Sequence, residues 1–364
     1  MADNPLTGLH ALGQSFWWDT LSRAGVRDGT VARMRDENGM RGITSNPAIF
    51  QKALAGSDDY DTDIEALSAQ GLDVEAIFWK LAVDDISGAC DLLQPVHASS
   101  GGADGFVSLE VDPRLAHDAA RTIEAARNLW QEVDRPNLMI KIPGTPEGME
   151  AIRTALFEGI HVNVTLLFSP VAHADVMRAH ADALEQRMQA GLPVDNIDSV
   201  ASFFVSRVDA AVDAAVTDAA LKGRAAVANA KLAYAQFEEF VASERWQKLA
   251  AAGARVQRPL WASTSTKNPD YPDTLYVREL IGRNTVNTMP TNTVQAWLDH
   301  GEPVDGSVQS DVDGARALFD ELDRAGVDFQ SVTDQLLADG VKQFEDAFTT
   351  LLDQLQQKVP GAAR

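Results

Sequence analysis

The chain has 364 residues, 45% of them hydrophobic and 23% charged, which is enough apolar material for a sizeable core under an ordinary polar surface. Its 53 acidic side chains against 31 basic ones leave a formal net charge of −22, which argues against nucleic acid or an anionic membrane surface as a partner. The single cysteine, Cys90, excludes an intramolecular disulfide and fits a reducing compartment.

Residues 1–13 carry no basic segment followed by a long apolar core, so no secretory signal is expected. No uninterrupted apolar stretch is long enough to span a bilayer, and a cytoplasmic globular protein is the expectation. Strand-like segments then recur at 14–19, 41–46, 106–111, 138–143, 162–168, 199–205, 259–264 and 285–290. The stretches between them carry helical periodicity, as in Val74, Ile77, Phe78 and Leu81, then Ile86, Ala89, Cys90 and Leu93. Strands alternating with helices predict right-handed βαβ units and a parallel sheet, and eight such units predict closure into a single (β/α)8 TIM barrel. An open doubly wound sheet is the alternative; if it bound a dinucleotide it would bring a glycine-rich turn after its first strand, and none follows Asp19. One domain over residues 1–364 is expected, with a barrel core at about 14–300. Two additions stand out. An alanine-rich helical stretch at 207–252 reads as two helices broken at Gly223, and the tail at 312–358 reads as two more around Ala325-Gly326.

Lys141 lies in Leu138-Met139-Ile140-Lys141-Ile142-Pro143, an apolar run of the kind a doubly buried parallel strand presents. Burying an ammonium costs several kcal/mol unless it is paired or gives up its proton, and a free amine is what a Schiff-base lysine supplies. The plain reading is an edge lysine whose stem carries the charge out to water. Polar residues at the same end of other strands tip the balance, because barrel chemistry collects at the C-terminal strand ends. The first strand ends in Asp19, the second in Asn46, and the third carries Glu110. The fifth carries Asn163 and Thr165 on one face, with Val162, Val164 and Leu166 on the other, against the helices. The sixth offers Ser202 and leads to Arg207, and the seventh leads through Ser265 to Lys267. Singly, each has a structural explanation: Asp19 or Asn46 as a helix cap, Thr165 as a common strand residue, Arg207 and Lys267 as solvated loop charges. As a set they are coherent, with an amine nucleophile, two carboxylates for separate proton transfers, amides for hydroxyls, and a fork and a point charge for phosphate.

In order and spacing, several segments together resemble the transaldolase family in its longer bacterial branch. They are Trp18-Asp19, Gly42-Ile43-Thr44-Ser45-Asn46-Pro47, Ser108-Leu109-Glu110-Val111-Asp112, Ile140-Lys141-Ile142-Pro143, Asn163-Val164-Thr165-Leu166-Leu167-Phe168-Ser169, Ala201-Ser202-Phe203-Phe204-Val205-Ser206-Arg207 and Trp261-Ala262-Ser263-Thr264-Ser265-Thr266-Lys267. The resemblance implies a circularly permuted class I aldolase barrel that needs no metal or organic cofactor and acts on sugar phosphates. It implies Lys141 as the imine-forming lysine, Asp19 as the base for the C4 hydroxyl, and Glu110 with Thr165 holding a water. It also implies Asn46, Asn163 and Ser202 on the dihydroxyacetone hydroxyls, Phe204 in the wall, and Arg207, Ser265 and Lys267 on phosphate. Association with further copies of the chain stays open.

Phe203, where many relatives have proline, and Ser206, where many have glycine, depart from the family pattern without removing a reacting group. Lys267, where shorter relatives carry arginine, keeps the charge but loses the fork. The nearest rival is a fructose 6-phosphate aldolase, whose members resemble this chain except for tyrosine in place of Phe204 and a glutamine-type residue in place of Glu110. A barrel that only binds sugar phosphates is a further alternative, opposed by Lys141, Asp19 and Glu110. A metal-dependent aldolase would draw on His173 and His180, seven residues apart on a helix, with His161; surface histidines are the expectation there.

Overall fold

The computed structural model describes residues 4–359, so the first three residues of the segment read for a signal, and the last five of the chain, lie outside it. Eight parallel strands close into a barrel in sequence order: β1 (Gln14–Trp18), β2 (Gly42–Thr44), β3 (Phe106–Glu110), β4 (Leu138–Pro143), β5 (Val162–Leu167), β6 (Ser199–Phe204), β7 (Arg258–Ala262) and β8 (Thr285–Met289). Closure is made by β8 on β1, paired from Gln14 opposite Thr285 to Trp18 opposite Met289. Every residue of these strands is buried except Arg258, which is half-buried, because the interior is filled by side chains and the outside is covered by helices. Gly42 has no substitute in this packing: a Cβ there would stand 2.4 Å from the indole of Trp17 on the neighbouring strand.

The N-terminal end of the barrel is a structural plug. Asp104 accepts hydrogen bonds from Ser15 Oγ at 2.6 Å and Trp17 Nε1 at 3.3 Å, and pairs with Arg258 at 3.0 Å. Polar satisfaction at this face belongs to stability; the chemistry is at the other end.

Three details differ from the sequence reading. The 207–252 stretch contains three helices, Ser206–Ala215, Ala225–Ala242 and Glu244–Ala251, not two; Gly223 breaks the first interval at φ +69°, and Ser243 ends one helix and caps the next by accepting from Trp246 N–H. The alternation of β5 fails at Leu166, which takes φ +62° where the ladder to β6 shifts register, and its side chain turns toward the C-terminal helix Phe329–Lys358.

The histidines of the helix Pro170–Gln189 are not on the surface. His173 and His180 are both fully buried, His173 edge-on to Phe203 and His180 stacked on Trp246. The insert helices cover a side of the helix that would otherwise face water. Burial drives both imidazoles to the neutral form, with the pKa pushed down to about 4 for His173 and about 3 for His180. His161 is also buried and pushed down to about 4; its Nδ1 accepts from Asp198 N–H at 3.0 Å, so Nε2 carries the proton and donates to the Pro136 carbonyl at 3.2 Å. No three His, Cys, Asp or Glu side chains converge as a metal site among the described residues. Among the same residues no helix is long and apolar enough to cross a membrane.

Candidate active site

The register of three neighbouring strands sets the centre of the site. Glu110 on β3 pairs with Lys141 on β4, and Lys141 with Asn163 on β5, so the three lie in one cross-strand row. Lys141 is 4% exposed, and its Nζ donates to Glu110 Oε2 at 3.1 Å and to the Ser45 carbonyl at 3.2 Å. A buried ion pair adds little stability against the desolvation of two charges, and losing one partner strands the other at a cost of about 3–5 kcal/mol. Burial raises the Glu110 carboxyl above the usual carboxylate range, with the charge and hydrogen bond of Lys141 pulling it back.

Apart from Glu110 and Asn163, every residue singled out from the sequence lines one cavity of about 170 Å³ at the C-terminal mouth: Asp19, Asn46, Lys141, Thr165, Ser202, Phe204, Arg207, Ser265 and Lys267. That is smaller than the ~300–1,000 Å³ of pockets that take drug-sized ligands, and suits a short polar chain. Asn163 sits one layer below, where its Nδ2 donates to Ser108 Oγ at 3.0 Å and its Oδ1 accepts from Ser202 Oγ at 2.7 Å. Both ends of the amide are engaged, and it acts by fixing Ser202. Asn46 has two tasks. Its Oδ1 caps the helix Pro47–Ala55 by accepting from Ile49 N–H at 3.0 Å, which leaves Nδ2 for the cavity.

Asp19 follows β1 directly, its N–H donating to the Met289 carbonyl at 2.9 Å. It does not cap a helix; Ser22 caps the next one. Burial raises its carboxyl above the ordinary range, while the Thr44 hydrogen bond and the charges of Lys141, Lys267 and Lys52 pull it back. Thr44 Oγ1 donates to Asp19 Oδ1 at 2.6 Å and lies 2.6 Å from Thr288 Oγ1, from which it accepts. Nothing in the sequence marks this hydroxyl relay, because threonine is common in strands. Ser263 was also missed. It lines the cavity with φ +58°, and its hydroxyl lies 2.9 Å from that of Ser206. A non-glycine residue in that region stores on the order of 1–3 kcal/mol of strain, a common mark of a functional turn.

At the far end the site is cationic. The Arg207 guanidinium stacks on Phe204, 5.3 Å from the ring centroid, and its buried Nη1 has no hydrogen-bond partner. Arg207, Lys267 and Lys52 take part in no ion pair among the described residues, although the chain as a whole carries −22. Burial lowers the pKa of Lys267, and the charge of Arg207 adds to that; Arg207 is lowered by burial too. Asp19 and Asp339 act on these cations only at a distance, without an ion pair, so this end of the cavity is open to an anionic group, and Ser265 adds a hydroxyl held by Asn292 Nδ2 at 3.1 Å.

The amine, the Asp19 carboxylate and the cationic side chains share one cavity, with Glu110 hydrogen-bonded to the amine from behind it, and comparison with known proteins agrees. Residues 16–355 match the family model described as transaldolase/fructose-6-phosphate aldolase. The chain belongs to the transaldolase/fructose-6-phosphate aldolase family. It is 47% identical over 365 residues to a transaldolase from Parafrankia sp. (strain EAN1pec), covering 99% of both chains. A transaldolase from Mycobacterium marinum (strain ATCC BAA-535 / M) is 48% identical over 371 residues and all of both chains, and one from Thermobifida fusca (strain YX) is 48% identical over 98% of each. Within the family, the side chains at Phe204 and Glu110 become the informative ones, since no tyrosine lines this cavity and Glu110 is a carboxylate.

Proposed function

We propose that the protein is a transaldolase that moves a dihydroxyacetone unit from sedoheptulose 7-phosphate to glyceraldehyde 3-phosphate, giving erythrose 4-phosphate and fructose 6-phosphate. The observation that carries this reading is Lys141 Nζ, held by Glu110 at 3.1 Å in the same cavity as the unpaired Arg207. The Lys141 amine attacks the C2 carbonyl of the ketose, and the carbinolamine loses water to give the imine. Glu110 Oε1 and Thr165 Oγ1, buried and without protein partners, support a shared water for the proton transfers of that step. Asp19 then takes the proton of the C4 hydroxyl, the C3–C4 bond breaks, and the aldose phosphate leaves an enamine on Lys141. The enamine carbon attacks the incoming aldehyde, Asp19 returns the proton to the new hydroxyl, and water releases the product ketose. Arg207, Lys267 and Ser265 hold the phosphate of donor and acceptor in turn, while Asn46 and Ser202 hold the hydroxyls near Lys141. A cytoplasmic setting in the non-oxidative pentose phosphate pathway follows from that substrate pair.

Transfer, not release, is favoured by Phe204. It packs on Phe168, with ring centroids 5.3 Å apart, and offers the enamine no acidic proton. With fructose 6-phosphate alone, free dihydroxyacetone should therefore be scarce. Adding erythrose 4-phosphate should drive sedoheptulose 7-phosphate formation, read by chromatography of both products. Abundant free dihydroxyacetone without an acceptor would move the chain to the aldolase branch.

A further inference from the structure

The roof of the cavity comes from the C-terminal helix Phe329–Lys358, which the reaction scheme does not use. The second half of this helix is well anchored. Phe348 packs on Phe78 and Trp79, with centroids 5.3 and 5.9 Å away, and Arg114 covers its ring at 4.9 Å. Lys358 Nζ donates to the Ser57 carbonyl at 2.7 Å and pairs with Asp61 at 2.8 Å. So anchored, the helix turns Gly340 and Phe344, one turn apart and on one face, toward the barrel. Phe344 is 6% exposed, lines the cavity, and has its ring centroid 5.4 Å from Lys141 Nζ. At Gly340 a Cβ would stand 2.9 Å from a Leu166 methyl and 3.6 Å from Arg207 Nη1. Glycine inside a helix costs about 1 kcal/mol relative to alanine; here it lets the helix settle onto Leu166, whose unusual backbone turns it to meet the helix. The roof thus closes over both ends of the site, with Phe344 above the amine and Gly340 beside the guanidinium.

We propose that Phe344 is a specificity-determining residue, an aromatic roof over the Lys141-bound intermediate that sets the partition between transfer to an aldehyde and release of free dihydroxyacetone. This rests on Lys141 forming the enamine. Release needs two things from outside the wall. The enamine carbon C3 must take a proton to give the iminium, and a water must then add at C2, the carbon bonded to the Lys141 nitrogen. The C–N bond breaks, and dihydroxyacetone leaves with the Lys141 amine restored. The ring covers the intermediate against the proton donor and has no proton to give; the water is common to both outcomes, since the transferred ketose also leaves by addition of water at C2. An aldehyde acceptor removes the need for the proton on C3, because C3 bonds to the aldehyde carbon instead, and it enters with its phosphate on Arg207.

The test is the ratio of free dihydroxyacetone to sedoheptulose 7-phosphate in the full-length enzyme, given fructose 6-phosphate and erythrose 4-phosphate, for wild type, Phe344→Leu, Phe344→Val and Phe344→Ala. Borohydride trapping on Lys141 and circular dichroism accompany each variant. The ratio should rise as the side chain shrinks, staying within about twofold for Leu and reaching about tenfold for Ala; Leu and Val carry the comparison if Ala does not fold. A flat ratio across the folded, trappable variants overturns the proposal. Failure of the wild type to trap on Lys141 would instead overturn the Schiff-base reading beneath it.

Discussion

Asp19→Asn lowers turnover by about 10²–10⁴, the usual range for a lost general base, while the Lys141 adduct still forms. Asparagine keeps the shape of the side chain and can accept the Thr44 hydroxyl through its own Oδ1, so the relay from Thr288 and the end of β1 are preserved. What disappears is the oxygen that takes the C4 hydroxyl proton, and with it only the cleavage step. The raised carboxyl of Asp19 adds a pH signature: burial lifts its pKa, so the acid limb of kcat in the wild type lies above the ordinary carboxylate value near ~4. Steady-state kinetics with borohydride trapping separate the steps. Near-normal turnover in the variant would reduce Asp19 to a structural residue.

His180→Phe protects the fold against acid by about 2 kcal/mol at pH 5 relative to its effect at neutral pH. The wild-type imidazole is buried against Trp246, has no hydrogen-bond partner on either ring nitrogen, and titrates at about 3. Unfolded, it takes a proton below about 6.5, where the folded state still refuses one. Stability is therefore complete above pH 6.5 and is lost as pH falls toward 3, at about 1.4 kcal/mol per unit. Other groups oppose this: Asp209, pushed up to about 6 by burial, stabilises the fold as it protonates. They are common to both proteins and cancel in the difference. Urea unfolding at pH 7.5 and pH 5 measures it, and a difference unchanged between the two pH values would show that His180 is not held neutral.

The barrel was legible because most of its strands are short, largely apolar segments, and segments of that kind separated by helical periodicity leave few topologies. The centre of the site was legible for the opposite reason. Lys141, Glu110 and Asn163 break apolar runs, and a break in a buried strand must be explained by partners. The misses have different causes. Phe344 lies about two hundred residues from Lys141, in an apolar stripe that reads as core, and only the docking of the last helix brings it over the mouth. Thr44 and Thr288 are ordinary strand residues until their hydroxyls are found 2.6 Å apart. A histidine pair on a polar helix usually faces water, but here His173 packs on Phe203 of β6 and His180 on Trp246 of the insert helix Glu244–Ala251. Leu166 gives no sign of its positive φ, since leucine has no preference for that region.

The most direct test of the account is the site of the covalent adduct. Wild-type enzyme incubated with fructose 6-phosphate and borohydride, then digested and mapped by mass spectrometry, should carry one reduced three-carbon adduct. It should lie on the peptide containing Leu138-Met139-Ile140-Lys141-Ile142-Pro143, because Lys141 is the amine held in the barrel by Glu110 and Ser45. An adduct on Lys267, or none on any lysine, would contradict it.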